Sequence, residues 1–109
     1  MIIKALNSLQ EEFGKDIDDF FFSYQVFIGP EEIDGAYEVF DFNLISIKRL
    51  AKDFSEFGIM LNRGWMISKC FDEEQVKNEI NSIIKKCFNK NDEITYDNIA
   101  MFLRREEEE

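Results

Sequence analysis

The sequence contains no histidine, one proline, two cysteines and no apolar run near the ~20 residues that cross a bilayer. Without histidine the chain lacks the commonest general acid and base at neutral pH. Ser-His and Cys-His dyads are excluded, as is a nuclease acting through a histidine pair. Cys70 and Cys87 lie seventeen residues apart with no C-x-x-C spacing and no histidine to complete a common zinc set. Both are therefore expected to be buried free thiols. Neither G-x-G-x-x-G nor G-x-x-x-x-G-K-[ST] occurs, so no glycine loop is available to cradle a phosphate, and no cofactor is expected. Met1-Ile2-Ile3-Lys4-Ala5-Leu6 is too short an apolar run for a signal peptide, which places the expected location in the cytoplasm. There is no internal repeat and no Pro- or Gly-rich linker.

What is present suits a small folded domain. With 109 residues, 45% apolar residues and twelve phenylalanines, one modest core is affordable and two are not. The net charge of −10 is unevenly placed. Met1 to Asp41 holds ten acids against Lys4 and Lys15, a balance of −8, whereas Phe42 to Arg105 holds nine acids against eleven bases. Glu106 to Glu109 add the last four negative charges. Such a surface repels nucleic acid and anionic membrane and attracts basic proteins.

Hydrophobic pattern predicts the elements. Met1 to Leu9 reads as a first strand or a short helix, and alternation alone leaves both open. Gly14 to Asp19 has turn composition. Phe20 to Ile28 is an aromatic and β-branched strand ended by Gly29-Pro30, and Tyr37 to Leu44 alternates strictly. These two runs form an expected antiparallel hairpin across an acidic loop. Ser46 is placed to cap a helix from about Ile47 to Phe54, with Ile47, Leu50, Ala51 and Phe54 as a buried stripe and Lys48, Arg49, Lys52 and Asp53 pointing outward. Phe57 to Leu61 and Trp65 to Phe71 read as a second hairpin turning at Asn62-Arg63-Gly64. Asp72 with Gln75 opens a helix whose stripe is Val76, Ile80, Ile83, Ile84 and Cys87. Thr95 is expected to cap a last helix that buries Ile99, Phe102 and Leu103. The order implies a single α+β domain over residues 1–105: an antiparallel sheet of about four to five strands, with two to three helices packed on one side, followed by an acidic tail over 106–109.

Candidate chemistry is sparse. Asp16-Ile17-Asp18-Asp19 and Glu31-Glu32-Ile33-Asp34-Gly35 bunch carboxylates but lack the twelve-residue spacing of an EF-hand loop, and they read as solvated faces, so no metal site is assigned. A glycosidase carboxylate pair would need a deep cleft for which so small a chain lacks room. Phe20, Phe22, Tyr24, Phe40 and Phe42 sit at strand spacing and are expected as sheet core, not as a platform for bases. Trp65 is expected as a core anchor in preference to a hot spot at an interface rim.

Four segments in order carry a family resemblance. Phe27-Ile28-Gly29-Pro30 and an acidic loop precede Glu38-Val39-Phe40-Asp41-Phe42-Asn43-Leu44-Ile45-Ser46-Ile47-Lys48-Arg49-Leu50. Leu61-Asn62-Arg63-Gly64-Trp65-Met66-Ile67 and Ile94-Thr95-Tyr96-Asp97-Asn98-Ile99-Ala100-Met101-Phe102-Leu103-Arg104-Arg105 follow. Together these resemble the immunity protein 8 family of bacterial polymorphic-toxin and contact-dependent growth inhibition systems. That family has an I-G-P loop, an F-x-F-x-V strand, an S-P-K-x-L helix start, a G-R-x-x-L-I strand and a T-W-E-E-x-A-x-x-L-S-R helix. Two departures stand out: Ile47 replaces the proline after Ser46, and Glu106 to Glu109 replace a W-E-F-E-D-Y kind of ending.

The resemblance implies a non-enzymatic toxin inhibitor of the toxin-antitoxin kind, made beside a toxin and neutralising it in the cytosol. Its partner would be a basic toxin domain, commonly a nuclease, and it would bind neither nucleic acid nor membrane itself. The acids expected to cover the toxin's basic cleft are Asp16, Asp18 and Asp19 in the turn and Glu31, Glu32, Asp34 and Glu38 in the loop. The competing reading is an acidic adaptor or regulatory subunit for another basic cellular protein, with a small carboxylate enzyme behind it.

Overall fold

In the computed structural model, which describes residues 1–106, the first segment resolves as a strand, β1 (Ile2–Phe13), paired antiparallel along β2 (Phe20–Gly29). Neighbouring aromatic rows supply what local alternation could not. Phe13 packs edge-on against the rings of Phe20 and Phe22, while Ile3 and Leu6 lean on the core. The register slips near Ile3 to Ala5 and again near Ser8 to Gln10, bulges of the kind that break up a long edge strand. β3 (Glu38–Ser46) pairs antiparallel with β2 as the expected hairpin. Phe20, Phe22, Tyr24, Val26 and Ile28 of β2 and Phe40, Phe42 and Leu44 of β3 are all buried on one face. The opposite faces of the same strands are mostly half-exposed, as period-two alternation requires, with Gly29 and Ile45 buried at the strand ends.

Ser46 begins α1 (Ile47–Phe57), and its buried hydroxyl accepts from Arg49 N–H at 3.0 Å and from Phe20 N–H at 3.1 Å. One side chain thus caps the helix and ties its start to β2. The expected apolar stripe is not buried: Ile47, Ala51 and Phe54 are exposed and Leu50 is only half-buried. Arg49, expected to face solvent, turns inward toward the Gly14–Asp19 turn instead.

The second hairpin does not form. Phe57 closes α1, no strand occupies 58–64, and β4 (Trp65–Ser68) runs parallel to β3. A helix inserted between two neighbouring strands of one sheet reverses the chain twice, so the second strand returns in the direction of the first. The sheet is therefore mixed and not wholly antiparallel, within an α+β fold of five strands and three helices. Ile59 is 86% exposed and Leu61 is 99% exposed, so the apolar pattern there had nothing to pack against. Trp65 is half-buried on the face away from the core, edge-on to Phe21 at 5.8 Å, and is not a core anchor.

α2 (Glu73–Cys87) follows the sequence closely. Asp72 accepts from the N–H groups of Glu74 and Gln75, and Val76, Ile80, Ile83, Ile84 and Cys87 are all buried. Cys70, just beyond β4, is exposed, so only Cys87 is a buried thiol. α3 (Asp92–Ile99) is capped by Asn91, not Thr95, with the Asn91 carboxamide oxygen accepting from Ile94 N–H at 3.1 Å. Thr95 lies inside the helix, fully buried, its hydroxyl shared between Asn89 and Asn91. Ile99 and Leu103 are buried but Phe102 is 42% exposed, because the chain leaves the helix and turns into β5 (Arg104–Arg105) against β3. α2 and α3 thus cover the aromatic face of the sheet, and α1 adds no side chain to that cluster.

Candidate functional site

The β2–β3 loop is shaped by its first residue. At Gly29 a Cβ would overlap the backbone oxygen of Ala36, so only glycine lets the returning chain pass so close. Two turns follow in succession, Ile33 N–H to Pro30 O and Ala36 N–H to Ile33 O, both at 3.4 Å. The Lys4 ammonium donates to Ile33 O at 2.7 Å and ties the loop to β1. Folded this way, the loop holds Glu31, Glu32 and Asp34 in solvent, and none of them enters an ion pair or side-chain hydrogen bond among the described residues. Among them Ile33 is 50% exposed, and Tyr37, 46% exposed, stacks on Phe27 at 4.8 Å. Three uncompensated carboxylates beside an exposed apolar pair form a surface suited to a basic partner with some apolar area of its own.

Glu38 belongs to a different arrangement. Half-buried at the start of β3, it pairs with Arg105 at 3.3 Å, and Arg105 also reaches Glu93 at 2.9 Å and Asp97 at 3.2 Å. Glu93 and then Glu38 hold the guanidinium pKa above its ordinary value. Here an acid of the N-terminal part fastens β5 and α3 to the sheet.

The Gly14–Asp19 turn is also largely used internally. Asp16 and Asp18, both exposed, pair with the Lys48 ammonium at 2.5 and 3.3 Å. Asp19 is 2% exposed, and its carboxylate takes Arg49 at 2.6 Å and Lys52. Hydrogen bonds first from Lys52 and then from Arg49 hold the Asp19 carboxyl below the usual carboxylate range. Gly14 makes room for this group, since a Cβ there would overlap the Asp19 carboxylate. Arg49 also reaches Glu12 at 2.7 Å. Four acids therefore face three bases of one helix, and most of the negative field at this end is cancelled.

The expected site residues thus fall into three sets that the fold does not bring together: the turn acids Asp16, Asp18 and Asp19, the loop acids Glu31, Glu32 and Asp34, and Glu38 at its ion pair with Arg105. β2, ten residues and so roughly 33 Å long, separates the turn from the loop. The roles of Lys48, Arg49 and Lys52 are not legible locally, because nothing in a helix's own sequence says that its charged side will meet a turn about thirty residues earlier. Strict alternation from Tyr37 to Leu44 sets Tyr37 on the face opposite Phe40, and that is the available signal for an exposed aromatic beside the acids. Among the described residues no three Cys, Asp or Glu side chains gather to hold a metal ion, and no helix is long and apolar enough to cross a membrane.

Comparison with known families matches residues 2–109 to the model described as Immunity protein 8. No curated protein and no solved structure matches the chain.

Proposed function

From the premise that this chain belongs to the immunity protein 8 family, and so is an immunity protein against a toxin, we propose that its partner is a basic nuclease of the contact-dependent growth inhibition kind. It is bound and neutralised in the cytosol without any catalysis by the inhibitor. A nuclease must hold phosphates, and the cationic cleft that does so is the natural counterpart of an acidic surface. Seating carboxylates there removes water and counterions from the site and blocks the nucleic acid by occupancy and by charge.

The observation that carries this reading is the projecting loop, with Glu31, Glu32 and Asp34 uncompensated around Ile33 and Tyr37. Rim charges alone set rate more than affinity, so exposed apolar side chains among them are what a tight complex needs. Asp16 and Asp18 act less directly, because Lys48 already answers them, and Asp19 serves the fold. An interface of standard size buries roughly 1,600 Å² in total, more than the loop alone presents. Further surface must contribute.

The test is calorimetric binding of the chain to a catalytically inactive form of the toxin domain encoded beside its gene. Replacing Glu31, Glu32 and Asp34 together by lysine is expected to weaken binding by about 100-fold or more, since like charges across an interface cost several kcal/mol. An affinity unchanged by that reversal overturns the assignment of this face.

A further inference from the structure

β4 leaves one backbone edge open. Asn43 N–H donates to Gly64 O at 2.8 Å, so alternation aims the backbone groups of Met66 and Ser68 at β3 and those of Trp65 and Ile67 away from it. Among the described residues no strand pairs with that outer edge. An exposed row of N–H and C=O groups is a template for another extended chain.

A cleft of about 740 Å³ runs beside this edge, between β4 and one face of α2. Buried Val76 and Ile83 line its interior, and Ile67, 57% exposed, and Phe102, 42% exposed, stand at its rim. The lining positions on α2 run from Gln75 to Lys86, a rise of about 16 Å, and β4 offers about 13 Å of strand. Four or five residues of extended chain match both walls. Lys86 lies over the Phe102 ring at 5.2 Å, and Asp72 is engaged at the start of α2. Neither lining carboxylate enters an ion pair among the described residues, but Asp72 accepts from backbone N–H groups whereas Glu79 has no side-chain hydrogen bond.

These features select the occupant. A second copy of this chain carries the same net charge of −10 and is repelled. Pairing through different edges of two copies would also propagate without closing. A segment of a basic protein suits the cleft better: it supplies backbone partners, alternate apolar side chains and a cation. We infer that the cleft between β4 and α2 takes an extended segment of the toxin, hydrogen-bonded to Trp65 and Ile67, with apolar side chains over Val76 and Ile83 and a lysine or arginine at Glu79. This rests on the reading of the chain as a toxin inhibitor. It adds a second docking element, at the end of β3 opposite the acidic loop, where the strand pairs through Asn43 to Ser46.

The experiment uses the whole chain and the inactive toxin domain encoded beside its gene. Hydrogen exchange should show the Trp65 and Ile67 amides strongly protected in the complex and not in the free chain. Ile67→Pro removes an outward N–H without touching the bonds to β3, and it is expected to weaken binding by about tenfold or more while Ile67→Thr, which keeps the donor, loses less. Glu79→Lys should also weaken binding. If the chain binds but those two amides exchange as fast as in the free protein, the cleft proposal falls and the inhibitor reading stands. If the wild-type chain forms no complex with that domain, both fall.

Discussion

Tyr24 is the one residue whose buried side-chain polar atom has no partner among the described residues: its ring stacks on Phe42 at 5.2 Å and its hydroxyl is enclosed. Burial, with smaller contributions from the Glu73 and Glu11 carboxylates, pushes this phenol up to about 12. The folded value lies above the unfolded one, so the native state keeps a proton that the unfolded chain releases. Stability is accordingly whole below pH ~10 and declines as pH rises from there toward the folded value. Tyr24→Phe removes an unsatisfied hydroxyl and keeps the ring. Urea unfolding at neutral pH should show a gain of about 1 kcal/mol. The variant should also lose less stability than the wild type between pH ~10 and ~12. A variant less stable than wild type at neutral pH would mean that the hydroxyl has a partner. Alternation made Tyr24 legible as a core residue, but a phenol ordinarily finds a partner when buried, and its orphan hydroxyl could be found only from its surroundings.

At the scale of the element, α1 shows how a correct boundary can accompany a wrong face. The cap at Ser46 and the helix after it follow from local chemistry, because a hydroxyl before a helical run satisfies N–H groups wherever the helix lies. The face it turns inward was set by Asp19, a buried carboxylate that demands cations more strongly than Ile47 or Phe54 demand apolar cover. Since the Asp19 pKa is lowered, its contribution is present above the ordinary carboxylate value of about 4 and is lost as pH falls through the folded value. Asp19→Asn is therefore expected to destabilise the protein at neutral pH, to flatten the acid limb of its stability profile and to speed amide exchange in α1. Parallel acid limbs for variant and wild type would show that α1 is held by something else.

At the scale of the whole molecule, the −8 balance of the N-terminal part is not one acidic face. Lys48, Arg49 and Lys52 answer it at one end of the sheet, Arg105 answers Glu38, and the loop acids remain to act outward. Association with the toxin domain should accordingly slow steeply as salt rises from about 50 to 500 mM, since steering between exposed charges is screened. Stopped-flow measurement on the Glu31, Glu32 and Asp34 charge-reversed chain should find most of that dependence gone, while reversing Asp16 and Asp18 should change it little. Equal salt dependence in the two variants would return the whole N-terminal part to the interface.

The sequence by itself determined the family, through four motifs in order, and it determined the α+β class, the β2–β3 hairpin and the buried stripe of α2, because these last three rest on local periodicity, capping or turn chemistry. Only the tertiary structure decided that β4 runs parallel to β3, that the turn and the loop lie apart, and which acids are already neutralised. Strand direction depends on how a crossover packs, and the compensation of a charge depends on neighbours distant in the chain. Neither is written in any short stretch of residues.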